Sequence, residues 1–193
     1  MKRIAIAAAA AATLLSACAG MPSTTTGMGA GTEQTKMVGG APMYPSKTIV
    51  DNAVNSKDHT TLVAAVQAAG LVDTLKSPGP FTVFAPTNTA FEALPAGTVP
   101  SLLKPENKAT LSKVLTYHVV PGRVDAAELG RQIQAGNGRA TLRTAAGETL
   151  VATMQGSSVI VTDAKGGVAR VTTPDVYQSN GVIHVVDKVL LPG

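Results

Sequence analysis

The chain has no tryptophan, only three tyrosines and three phenylalanines in 193 residues, and a single cysteine. Its sixteen lysines and arginines are scattered without a run, against twelve acidic residues. Electrostatic capture of nucleic acid needs clustered cations, and stacking on bases needs exposed aromatics, so a nucleic-acid partner is disfavoured. A lone cysteine, Cys18, excludes an intramolecular disulfide. Gly-x-Ser-x-Gly is absent, and Gly156-Ser-Ser158 reads as a hairpin turn. The three histidines, His59, His118 and His184, include no i, i+4 pair that would place two imidazoles on one helix face. Nothing in this pattern calls for a metal or another cofactor.

What is present begins with Lys2-Arg3 and an alanine-rich apolar stretch, Ile4 to Leu15. Twelve residues are too few to span a bilayer as a helix but suit the apolar region of a signal peptide. Leu15-Ser16-Ala17-Cys18 resembles a bacterial lipobox, in which small residues precede a cysteine that is lipidated and becomes the mature N-terminus. The expectation is a signal peptide over residues 1–17 and acylation at Cys18; the alternative is an ordinary secretory signal. Each buried methylene contributes about 0.8 kcal/mol, so several acyl chains hold a protein firmly where one holds it weakly. Ala19 stands where a retention signal for the inner membrane would place Asp, which favours the outer membrane in a two-membrane cell. Removing Lys2 and Arg3 lowers the basic count to 14 (16 − 2) against 12 acidic residues, so the formal charge falls from +4 to +2.

Residues 18–45 are rich in Gly, Thr, Ser, Met and Pro and read as a flexible linker, because they offer too little apolar area to offset the entropy of ordering. Gly27-Met-Gly-Ala-Gly31 lacks the preceding strand and the closing Lys-Ser/Thr of a phosphate loop. Residues 46–193 are enough for one domain with one core.

The first half of that domain has helical spacing. Thr48 is expected to cap a short helix, and Thr60 or Thr61 a second that carries Leu62, Val63, Val66 and Ala69 and stops at Gly70. A strand is expected over Phe81–Ala85, then a short helix through Phe91 with Thr87 and Asn88 offering oxygens to its free N–H groups. Thr87→Val should then cost about 1 kcal/mol. Further helices are expected over 105–115, with proline in the first turn, and over 126–134, capped by Asp125. Beyond Gly138 the pattern changes to alternation, and strands are expected around 141–144, 149–154, 158–162 and 168–172. Asn180-Gly181 reads as a type I′ hairpin turn. Helices followed by strands indicate an α+β domain.

Three segments, in order, resemble conserved elements of the fasciclin domain. Phe81-Thr82-Val83-Phe84-Ala85-Pro86-Thr87-Asn88, with Phe91, is similar to the first box, and Tyr117-His118-Val119-Val120 to the Tyr-His element. Asn180-Gly181-Val-Ile-His184-Val-Val-Asp187-Lys-Val-Leu190-Leu-Pro192 is similar to the second box. Asn88 stands where the family commonly has Asp, and Gln178-Ser179 precedes the closing Asn-Gly. The resemblance implies a twisted β wedge or sandwich with helices packed along one side. It also implies adhesion or other protein–protein or matrix contact without catalysis.

In some animal members a Tyr-His pair among branched aliphatics is implicated in integrin contact, which makes Tyr117, His118, Val119 and Val120 candidate interaction residues. Bacteria have no integrins, so that partner does not carry over directly. Leu111, Val114, Leu115 and His118 also fall on one helix face, which argues for an interior histidine. His184 sits mid-strand and is expected inside, whereas His59, before a helix start, is expected to face solvent. Asp163, Asp175 and Asp187 lie in or beside the strands, and Asp187 is expected to make an ion pair or a turn bond. The leading expectation is therefore a lipid-anchored envelope protein, periplasmic or surface-exposed, bearing one fasciclin domain. A periplasmic carrier or sensor of a small ligand is the alternative, favoured by an enclosed apolar pocket with a few polar groups.

Overall fold

Phe81–Pro86 and Gly181–Val186 are nearly unbroken apolar runs, as expected of strands covered on both faces. The computed structural model, which describes residues 35–193, pairs them in parallel, with Phe81 opposite Gly181 and Pro86 opposite Val186. The expected signal peptide, Cys18 and the linker as far as residue 34 lie outside the described residues.

The strands are β1 (Lys36–Val38), β2 (Ala41–Met43), β3 (Phe81–Pro86), β4 (Val119–Pro121), β5 (Arg139–Arg143), β6 (Thr149–Gln155), β7 (Ser158–Thr162), β8 (Val168–Gln178) and β9 (Gly181–Val186). The helices are α1 (Ile49–Ala53), α2 (Thr60–Ala69), α3 (Val72–Lys76), α4 (Asn88–Glu92), α5 (Thr98–Leu102), α6 (Lys108–Tyr117) and α7 (Ala126–Ala135). Seven strands form one sheet in the order β4-β3-β9-β8-β7-β6-β5, antiparallel except for β3–β9. The amide of Ala145, just past β5, donates to the carbonyl of Val119 in β4 (2.7 Å), so the sheet curls almost into a barrel.

Two apolar clusters lie on the two sides of the central strands. Phe84, Tyr117, Leu129, Leu150, Val161 and Val186 fill the interior of the curled sheet. Val83, Ala85, Ile183 and Val185 face the helical layer, where Leu62, Val66, Leu111 and Leu115 of α2 and α6 pack. Strands β5 and β6 are buried on one face only, which is why their sequences alternate.

Local signals act as expected at three helix ends. Thr48 accepts from the amide of Asp51 (3.3 Å), Asp125 accepts from that of Glu128 (2.8 Å), and Gly70 ends α2 with φ +73°. Helix α5 was not anticipated in the sequence, and the helix expected from Pro105 starts as a 3₁₀ turn, Pro105–Asn107, before α6.

Two expectations fail for tertiary reasons. Residues 36–43, read as linker, form the β1–β2 hairpin, and Val38, Ala41 and Met43 are buried against the helical layer. Apolar residues that are sparse along the chain gain enough burial when the core supplies the other surface. The turn read as Asn180-Gly181 is instead Ser179-Asn180, because Gln178 already pairs with Gly181. Neither Asn180 nor Gly181 has positive φ. Gly181 is required by close approach: a Cβ there would lie 2.1 Å from the carbonyl oxygen of Phe81.

Gly181→Ala is expected to destabilise the domain by about 2 kcal/mol or more, read as a lower urea midpoint. An unchanged midpoint would mean that β3 and β9 separate at little cost.

Candidate functional site

The family segments converge where α6 runs into β4. Strand β4 pairs antiparallel with β3, placing Val119 opposite Val83 and Val120 opposite Thr82. Tyr117, His118, Val119 and Val120 are all buried, His118 being only 2% exposed. The phenol of Tyr117 donates to the carbonyl of Thr149 (3.0 Å) and accepts from the amide of Ala164 (2.9 Å). These four candidate interaction residues therefore do not form a contact surface. Their place on the inward face of α6 and on a covered strand commits them to the core.

His118 links the two boxes: its carbonyl accepts from the amide of Phe84 in the first (2.9 Å), and its ring holds the second to α6. The amide of Leu190 donates to its Nε2 (2.9 Å), so the proton sits on Nδ1, which donates to the carbonyl of Val114 (2.8 Å). Burial pushes its pKa down to about 4, against the opposing pulls of the Val114 carbonyl and Asp163. His184 uses the opposite tautomer: Nδ1 accepts from the amide of Asp175 (3.3 Å) and Nε2 donates to the carbonyl of Val124 (2.8 Å). Its ring stacks on Phe84, its register neighbour in β3, at 5.6 Å, and burial lowers its pKa as well. Both rings are neutral ties between chain segments.

His59, expected at the surface, is buried, because the β1–β2 hairpin and α1 cover it. Its Nδ1 lies 2.9 Å from the hydroxyl of Ser56, and burial is the main cause of its lowered pKa.

The remaining polar residues of the boxes serve backbone groups. Asn180 accepts from the amide of Ile49 at the start of α1 (3.0 Å) and donates to the carbonyls of Leu75 (2.7 Å) and Ser77 (3.0 Å). Thr82 donates to the carbonyl of Gly122 (2.7 Å) and accepts from the amide of Val124 (2.8 Å). Asp187 accepts from the amide of Arg170 (2.8 Å), and Asp175 from that of Ala126 (2.7 Å). Asp163 accepts from the amides of Lys165 (2.9 Å), Gly167 (2.7 Å) and Leu191 (3.0 Å). Phe84, Ala85, Pro86, Phe91, Leu190 and Pro192 are buried apolar volume. No group of three or more metal-ligating side chains occurs among the described residues.

The first box also departs from its expected capping. Thr87 makes no side-chain cap bond, and its hydroxyl instead lies 2.9 Å from that of Thr89. Asn88 caps the neighbouring helix: Oδ1 accepts from the amide of Thr61 (3.1 Å), and Nδ2 donates to the carbonyl of Lys57 (2.8 Å). Neither Thr60 nor Thr61 caps α2, whose N-cap position is His59. Nothing in the local sequence signals a cap supplied from 27 residues away.

This curled sheet, its two boxes in parallel register and a histidine joining them, defines a fasciclin-type fold. The fasciclin domain model matches residues 57–192, and the chain belongs to that family. It is 49% identical over 173 residues to protein sll1483 of Synechocystis, covering 90% of this chain and 89% of that one. It is 39% identical over 145 residues to the immunogenic protein MPB70 of Mycobacterium bovis, covering 72% and 66%. Similarity to the pig transforming growth factor-beta-induced protein ig-h3 is 36% over 148 residues, covering 77% of this chain but 20% of that protein. The solved FAS1 domain pair of the insect cell adhesion molecule Fasciclin I shares the fold with a TM-score of 0.69 at 18% identity, over 77% of this chain and 52% of that one.

Asn88→Ala is expected to cost about 1 kcal/mol, as loss of a helix cap does. Thr87→Val should cost less than about half of that, the order opposite to the one expected from sequence; chemical denaturation of both variants decides it. His118 gives a pH signature. Its folded pKa of about 4 lies below the unfolded value, so between the two the unfolded chain binds more protons and stability falls as pH drops. Acidification from pH 7 to 4 should remove stability on the order of 3 kcal/mol through this residue, and His118→Gln should flatten the slope. A variant with the wild-type slope would assign the acid sensitivity elsewhere.

Proposed function

We propose that this protein is held on the cell envelope through acylated Cys18 and uses its fasciclin domain to bind another protein or a matrix component. Outer-membrane attachment, facing either the periplasm or the exterior, fits Ala19 and the short apolar N-terminal stretch. Among the described residues no helix is long and apolar enough to cross a membrane. Membership of the fasciclin family, whose resemblance implies adhesion, supports contact rather than covalent chemistry.

The observation that carries this reading is the division of labour between interior and surface. The polar side chains of the boxes hold backbone groups inside, while large apolar side chains remain outside. Met37 (64% exposed) lies in β1, Tyr44 (38%) just past β2, and Val54 (50%) at the C-cap of α1. The backbone of Tyr44 is fixed to Asn52 of α1 by two bonds, so the hairpin and helix present these side chains on a stiff base. An apolar group on a fixed frame loses little entropy when a partner covers it.

One experiment with two arms tests this. Labelled palmitate should enter the wild-type chain, and Cys18→Ala should leave the membrane fraction. The wild type should bind immobilised envelope proteins saturably, at least tenfold more tightly than a Met37→Glu/Val54→Glu form with unchanged circular dichroism. Equal membrane retention of Cys18→Ala rejects the anchor, and equal binding by the double variant rejects the patch.

A further inference from the structure

The helical layer does not close completely over the sheet. A cavity of ≈ 90 Å³ opens between α1, α2, α3 and α6 and the β3–β4 edge of the sheet. Its walls are mainly aliphatic, formed by residues such as Val50, Ala53, Val63, Val66, Leu71 and Val72, and Phe81 adds a phenyl ring. No charged side chain lines it. The two polar side chains at its inner wall are already paired. His118 has both nitrogens bonded to backbone, and the hydroxyl of Thr116 donates to the carbonyls of Ser112 (2.8 Å) and Lys113 (3.1 Å). Gln67 and Thr74 are exposed at the rim.

A polar ligand entering this space would lose its hydration and gain no hydrogen bond, a cost of about 2 kcal/mol or more per group. A hydrocarbon incurs no such loss. The volume is below the ~300 Å³ of the smallest drug-sized sites and below the ~150 Å³ apolar cavity that accepts benzene. It therefore suits a narrow, flexible hydrocarbon rather than a ring system. Val63, Leu71, Val72 and Phe81 are only half-buried, so the apolar lining continues out to the mouth.

We propose that this cavity is a binding site for the end of a single unbranched aliphatic chain, whose polar head stays in water at the mouth beside Gln67 and Thr74. The site reads the hydrocarbon and is indifferent to the head, because no cation, anion or free hydrogen-bonding group faces inward.

The test is calorimetric titration of the full chain with monomeric 1-hexanol, 1-octanol and 1-decanol, and with octanoate and octylammonium. One saturable site is expected. Affinity should rise about fourfold per added methylene while carbons still enter the cavity, then level off. The neutral, anionic and cationic eight-carbon probes should agree within about threefold, since no charge lines the site. Val63→Phe and Ala53→Leu fill the space from half-buried positions and should weaken octanol binding at least tenfold with folding intact, while Gln67→Ala should leave it unchanged. Absence of saturable binding, equal binding by both filling variants, or a strong preference for one head charge would overturn the proposal. So would attachment to phosphatidylcholine vesicles without binding of monomeric octanol, which would place the contact on a membrane surface.

Discussion

The parallel pairing of β3 with β9 is the constraint on which the rest of this domain is built. Ninety-four residues separate Pro86 from Gly181, yet their strands run side by side at the centre of the sheet. Such a pair has to be covered on both faces, and the chain supplies a different cover for each. The curled sheet closes over one face, and α1, α2, α4 and α6 close over the other. Close approach at Gly181 allows β9 to enter this position, and Asn180 anchors its first turn to the start of α1 and the end of α3. Loss of the pair would leave both clusters without their shared wall.

The polar residues that look most like chemistry are the ties of this assembly. His118, His184, Asn180, Asp163 and Thr82 each bond to backbone groups remote in sequence, and each is buried. A buried backbone amide without a partner costs about 1–3 kcal/mol, so a side chain that satisfies two of them at once is worth more than its own contacts. Shared ties of this kind hold loop connections in fixed register, where apolar packing alone would tolerate slippage. The same arrangement keeps both imidazoles neutral, which couples the fold to acidity.

Much of this was legible in the chain. Helix caps at Thr48, Asp125 and Gly70 act through atoms within a few residues, so the local sequence carries them fully. Alternation in β5 and β6 reports a sheet with one covered face, and the unbroken apolar runs of β3 and β9 report two. The interior position of His118 followed from helical spacing. Where the reading failed, the determining atom was distant. Asn88 caps a helix 27 residues before it, His59 is covered by the hairpin, and the turn before β9 is shifted because Asn180 is held by α1 and α3. The exposed apolar surface and the aliphatic cavity were equally hidden, since a valine in a helix reads the same whether its neighbour touches it or falls short.

Composition and periodicity, which depend on each residue's own chemistry and on neighbours one turn away, were sufficient to indicate an α+β domain, and the resemblance of three segments supplied its family. Which side chains face outward, which histidines are sealed in, and where the helical layer leaves a gap were decided by packing between segments tens of residues apart. Burial is a property of the assembled surfaces, and a linear sequence encodes it only through the fold that they make together.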